Sequence, residues 1–180
     1  MKGIVFVEFI EWVESSISTQ ASEQLLETTD LPSGGVYTSV GTYDYGEMVL
    51  LVTSLSRLTN IPSSELLKGF GRHLFRVFVT KFPAFFEGIT STFEFLPHVQ
   101  NYVHLEVRKL YEDAELPTFE CAMPQAGQLY MRYQSSRNMP DFAEGLILGC
   151  LEHFGERLIV HRETLPDEPP TTLFIISQAQ

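Results

Sequence analysis

An α+β fold is expected from the way hydrophobic spacing changes along this chain. Through the first half, apolar residues recur three and four positions apart; in the second, extended segments bounded by Gly and Pro predominate, with one helical stretch among them. Helices followed by strands point to a mostly antiparallel, four-stranded sheet with helices packed against it. The 180 residues, 44% of them hydrophobic, are enough for a single domain with a substantial core, divisible into two packed subdomains.

The first element is an amphipathic helix from Ile4 to Ile17, with Val5, Phe9 or Ile10, Val13 and Ile17 at helical spacing and acids between them. A short helix from Ala21 to Thr28 stops before the turn Leu31-Pro32-Ser33-Gly34-Gly35. Val36 to Tyr45 reads as a loop, and Met48 to Leu58 as a compact helix ended by Asn60-Ile61-Pro62. Pro62 suits the first turn of the next helix, where a missing N–H costs nothing, and Glu65 complements its positive end; that helix runs through Leu74, Phe75 and Phe78 to Lys81. After the aromatic connector Phe82-Pro83 and Phe85-Phe86-Glu87-Gly88, a helix is expected to begin at Phe95 to Pro97. Its apolar face is Leu96, Val99, Val103, Val107 and Leu110, with His104 beside them. Pro97 is compatible with it only near the start.

Leu116-Pro117 breaks that helix. Thr118 to Met123 and Gln128 to Ser135, separated by Gly127, form a hairpin signal. A helix from Asp141 to Phe154 carries Phe142, Leu146 and Leu151, and the strands Arg157 to Glu163 and Thr172 to Ser177 flank the Pro-rich turn Pro166 to Pro170.

The formal net charge of -11 argues against nucleic acid as a partner, because phosphate binding relies on Lys and Arg clusters that this sequence does not show. Met1-Lys2-Gly3-Ile4-Val5-Phe6-Val7 resembles the start of a signal peptide until Glu8, Glu11 and Glu14 interrupt it, and Gly at position 3 does not fit N-myristoylation. No apolar run approaches the roughly 20 residues that span a bilayer, so a cytoplasmic protein without membrane contact is expected. Cys121 and Cys150 are too few for a zinc site or a disulfide framework and read as small buried hydrophobes. A redox role for the Cys121 thiol stands as the rival reading. No Gly-rich phosphate loop, kinase or cyclase signature or catalytic triad is recognisable, so no enzymatic activity is expected.

The run Tyr133-Gln134-Ser135-Ser136-Arg137 is the most pointed motif. In an extended strand, alternate side chains share a face, so Tyr133, Ser135 and Arg137 would present two hydroxyls and a guanidinium side by side. That set suits carboxylates, whose oxygens the planar fork of Arg matches bidentately. A solvated strand face gives the same alternation. Likewise, a lone His on an apolar helical face, such as His104, is compatible with a packed core residue or with a metal ligand.

The start Met1-Lys2-Gly3-Ile4, the segments Leu31-Pro32-Ser33-Gly34-Gly35-Val36-Tyr37 and Phe70-Gly71-Arg72, the run Val103-His104-Leu105-Glu106-Val107-Arg108-Lys109-Leu110-Tyr111 and the Tyr133-x-Ser135-x-Arg137 motif together resemble the haem nitric oxide/oxygen binding (H-NOX) family. The resemblance spans nearly the whole chain. It implies haem b held between a helical distal subdomain, about residues 1–60, and a proximal subdomain, about 61–180, with His104 as the iron ligand. It further implies that Tyr133, Ser135 and Arg137 clamp the propionates and that Pro117 presses on the porphyrin. The oxygen-binding members carry a distal tyrosine nine residues after the clamp tyrosine, where this chain has Phe142. The other positions matching the distal wall, Val5, Phe9, Leu74 and Phe78, are also apolar. The resemblance therefore implies a sensor that binds nitric oxide and carbon monoxide and excludes oxygen. Its output would pass through change at the His104–iron bond to a separate histidine kinase or diguanylate cyclase. Haem handling, with haem as cargo, is the other rival.

Overall fold

In the computed structural model, which describes residues 1–178 and all their side chains except that of Leu110, seven α-helices and four strands are arranged as an α+β fold. The helices are α1 (Gly3–Ser16), α2 (Thr19–Thr28), α3 (Tyr45–Thr59), α4 (Ser63–Lys81), α5 (Thr92–His98), α6 (His104–Leu110) and α7 (Pro140–Phe154). The strands β1 (Thr118–Gln125), β2 (Gln128–Gln134), β3 (Leu158–Leu165) and β4 (Thr171–Gln178) form one antiparallel sheet in the order β1-β2-β4-β3. Among the described residues no helix is long and apolar enough to cross a membrane.

Local chemistry explains the boundaries. Ser18 caps α2 by accepting from the Ala21 N–H, and Asp44 caps α3 by accepting from the Gly46 N–H, which starts α3 three residues ahead of the expected Met48. Asn60 and Gly155 take the left-handed conformation that ends α3 and α7.

Every fourth or third residue of α1 faces inward, burying Phe6, Phe9, Trp12 and Val13 against Leu25, Leu51, Leu55, Leu66, Phe70 and Leu74. Each such aromatic or aliphatic side chain contributes about 1.5–3 kcal/mol when fully buried. A second apolar cluster lies between the inner face of the sheet and α5 and α7, and contains Phe75, Phe95, Leu129, Met131, Tyr133, Ile147, Cys150, Phe174 and Ile176. The adjacent residues Leu74 and Phe75 of α4 belong to different clusters, so α4 joins the two.

The α4–α7 crossing is made by glycines. A methyl group at Gly71 would lie 2.6 Å from the Phe142 carbonyl oxygen, one at Gly149 would lie 2.7 Å from the Phe75 Cβ, and one at Gly145 would collide with the Lys68 carbonyl oxygen. Lys68–Glu144 (3.0 Å) fastens the same pair at its edge.

Three expectations need correction. The helix leading to His104 begins at Thr92, not at Phe95 to Pro97, because Ser91 caps it by accepting from the Glu94 N–H while Glu94 accepts from Thr90. Pro97 consequently lies inside α5, and the chain continues through a π-helical segment, Val99–Val103, before α6. A π turn absorbs the backbone mismatch that a proline imposes. Secondly, β2 stops at Gln134, so Ser135 and Arg137 are not on a strand: they lie in the turn to α7, where Asn138 has a φ of 44°. Thirdly, Cys121 is half-buried, unlike Cys150, because it lies on the edge strand β1.

Candidate functional site

His104 is the only buried side chain described for α6; Leu105, Arg108 and Lys109 are exposed and Val107 is half-covered. Val99 and Val103 of the preceding π segment are half-covered as well, and the Leu110 side chain lies outside the described residues. The His104 imidazole packs 5.4 Å from the Phe119 ring, which lies 5.8 Å from that of Tyr133. Its Nδ1 is buried and makes no hydrogen bond. Burial, with a smaller contribution from Arg108, pushes the imidazole pKa down to about 4, so the ring is neutral with a lone pair available. A buried nitrogen without a partner is costly in a closed core and is expected where a ligand completes it.

Tyr133 is buried, and its hydroxyl accepts from the Met139 N–H at 3.1 Å, leaving its own proton free to donate. Ser135 Oγ accepts from the Arg137 N–H at 3.2 Å. The Arg137 guanidinium donates to the Glu115 carbonyl oxygen at 2.7 Å and to the Glu115 carboxylate at 3.2 Å. The three motif residues are thus brought together by a strand end and a turn. Glu115 is well exposed, so its carboxylate can be exchanged for another. Pro117, two residues after Glu115 in the chain, is half-buried.

Phe9 and Leu74 are fully buried in the first cluster, and Val5, Phe78 and Phe142 are half-buried against it. Phe70 organises them: it meets Phe9 edge-on at 5.1 Å and stacks on Phe142 at 5.3 Å. No side chain in this set carries a hydrogen-bond donor.

A sequence profile of the Haem-NO-binding family matches residues 2–162. The chain belongs to this family. No functionally curated protein matches it. The Fe(II) unliganded H-NOX protein from K. algicida is 36% identical, with a TM-score of 0.91 over 100% of this chain and 97% of that one. The H-NOX from Shewanella woodyi, solved bound to IWP-051 in the Fe(II)CO ligation state, is 36% identical, with a TM-score of 0.84 over 99% of this chain and 95% of that one. An H-NOX protein from S. oneidensis in the Fe(II)NO ligation state is 26% identical, with a TM-score of 0.86 over 99% of this chain and 100% of that one. H-NOX domains are haem-binding gas sensors, and that class applies here.

The residues present fit such a group. An H-NOX haem needs a neutral imidazole, donors for two carboxylates and apolar walls; the unpaired His104 nitrogen, the Tyr133 and Arg137 donors and the half-covered valines supply them. The Cys121 thiol is a poor alternative centre, because burial pushes its pKa up to about 11 and suppresses the reactive thiolate. A depression of about 350 Å³ on the sheet, lined by Glu120, Cys121, Ala122, Tyr130, Arg132, Leu165 and Leu173, includes none of the ten H-NOX positions. Its one cation, Arg132, is already held by Asp167 (2.7 Å) and Glu120 (3.8 Å).

Phe119 and Glu115 escaped the motif reading, and Phe70 entered it only as part of the Phe70-Gly71-Arg72 segment, with no role at the site. That role could have been found, since Phe70 precedes Leu74 and Phe78 at intervals of four on one helical face. Glu115 carries no local signal.

Proposed function

We propose that this protein is a haem-based nitric oxide sensor that binds nitric oxide and carbon monoxide, excludes oxygen and controls a separate cytoplasmic partner. The observation that carries the reading is the buried, unpaired His104 nitrogen on a helix that buries no other described side chain. When bound, haem b supplies a ferrous iron with one face for an imidazole and the other for a diatomic gas. In the haem-loaded protein His104 would supply the iron ligand, Tyr133, Ser135 and Arg137 would hold the propionates, and Pro117 would pack against the ring. Residues up to about 60 form the distal part and the remainder the proximal part, with haem between them.

Gas choice follows from the distal wall. Bound oxygen acquires partial negative charge and gains from a donor, whereas nitric oxide needs little such help. Val5, Phe9, Leu74, Phe78 and Phe142 offer none. Loss of one hydrogen bond to a polarised ligand costs about 1.5–3 kcal/mol, or about tenfold to hundredfold in affinity. Without the link to iron, His104 would no longer hold α6, and a change in the surface a partner meets would give ligand binding a differential partner affinity. The chain acts without catalysis of its own, through a histidine kinase or diguanylate cyclase, the outputs that the H-NOX resemblance supports.

The test is His104→Gly. The reduced variant should lose the native axial linkage in its absorption spectrum and regain it when imidazole is added. A spectrum identical to wild type without imidazole would assign the ligand elsewhere.

A further inference from the structure

The His104 helix is held at its ends rather than along its face. At its start, the π segment is fastened to the sheet by Gln100, whose Oε1 accepts from the Phe119 N–H at 3.0 Å. At its far end the chain leaves through Tyr111 and Asp113, and both meet Lys2 at the beginning of α1. Lys2 Nζ donates to Asp113 Oδ1 at 2.6 Å and to Thr42 Oγ1 at 2.7 Å, and lies 4.8 Å over the centre of the Tyr111 ring. Thr42 Oγ1 donates in turn to Asp113 Oδ2 at 3.1 Å, and Thr42 is itself paired to Lys2 by a backbone bridge. The Lys2 side chain is only 14% exposed, so this ammonium has exchanged most of its water for one carboxylate, one hydroxyl and one aromatic face.

We infer that Lys2, Thr42 and Asp113 form a catch that ties the exit of α6 to the N-terminal helix, making Lys2 and Asp113 positioning residues for the His104 switch. The inference rests on the reading of His104 as the iron ligand. A helix with a π segment at one end and a polar tether at the other can pivot about the first only as far as the second permits. While the catch holds, His104 would be kept within reach of the haem site. With the catch open, α6 would be free to swing away and carry the imidazole out of reach.

The test uses the haem-loaded protein and four forms: wild type, Lys2→Met, Asp113→Asn and the reversal Lys2→Asp with Asp113→Lys. Two readouts are taken, amide hydrogen exchange along the chain and the fraction of protein whose His104 is dissociated after nitric oxide is added. Each single variant should speed exchange in α6 by about twofold to fivefold, the size expected for one partly exposed pair, and raise the dissociated fraction. Exchange in α4 and α7 should not change, and the reversal should restore both readouts towards wild type. Unchanged α6 exchange in haem-loaded single variants, or faster exchange everywhere, would overturn the catch while leaving the His104 reading intact. A wild-type protein that takes up no haem would overturn the underlying reading and the positioning role with it.

Discussion

The α4–α7 pair and α6 are built on opposite plans. In the first, Gly71, Gly145 and Gly149 bring two backbones into contact, and a methyl group has no room at any of the three. In the second, one imidazole is the only buried side chain described, and polar tethers at the two ends substitute for a packed face. Close packing is stiff and transmits displacement, whereas a helix short of buried contacts opens at low cost. On the proposed function the difference gives the two helices different work: α4–α7 is the frame joining the two apolar clusters, and α6 is the part that would move.

The sharpest way to break this contrast is to put bulk into the frame. Gly145→Val would drive a branched side chain against the Lys68 backbone, so unfolding in urea should show a loss of more than about 3 kcal/mol, or no folded protein. Leu105→Ala, on the exposed side of α6, should cost less than about 0.5 kcal/mol in the same assay. Comparable losses would mean that both helices are packed alike.

The next effect concerns the His104 nitrogen in the haem-free protein. Its folded pKa of about 4 lies below the ordinary 6.5, so between these values the unfolded chain binds the extra proton and stability rises with pH. The contribution is fully present above 6.5 and is lost as pH falls towards 4, amounting to about 3 kcal/mol at most. Urea melts of wild type and His104→Leu across this window isolate it from the carboxylates; parallel curves would show that the imidazole is not buried neutral.

Arg137→Ala removes a charged donor shared with Glu115 and should speed haem loss about tenfold to hundredfold with little change in the haem-free melt. Stopped-flow transfer to a haem scavenger reads this, and an unchanged rate would remove Arg137 from the clamp. The smallest effect is expected at the frame's own apolar end. Phe142→Tyr, at the position stacked on Phe70, adds one donor and should raise oxygen affinity by about tenfold, the lower end of the range for one such hydrogen bond, read by oxygen titration of the ferrous protein. A variant that still ignores oxygen would place residue 142 away from the gas.

Much of this architecture is written in local spacing. The inward faces of α1 and α4, the β1–β2 hairpin around Gly127 and the inserted helix α7 all follow from periodicities and turn residues that need no tertiary knowledge. The start of α5 was legible too, in Ser91 and Glu94, but the proline at 97 is the louder signal and drew the boundary three residues late. Tyr133, Ser135 and Arg137 were expected on one strand face, and the geometry differs because the strand ends one residue before Ser135. What could not be read locally are contacts made across the chain, such as Glu115 on Arg137, Phe119 beside His104 and Lys2 on Asp113. Such pairs depend on where the sheet carries its edge, and no spacing within either partner encodes that.

The central claim is most directly tested by the absorption spectrum of the reduced, haem-loaded protein, recorded first without gas, then in air, then with nitric oxide. An unchanged spectrum in air followed by a clear shift with nitric oxide is the predicted result. A stable oxygen complex, or a protein that binds no haem, would contradict it.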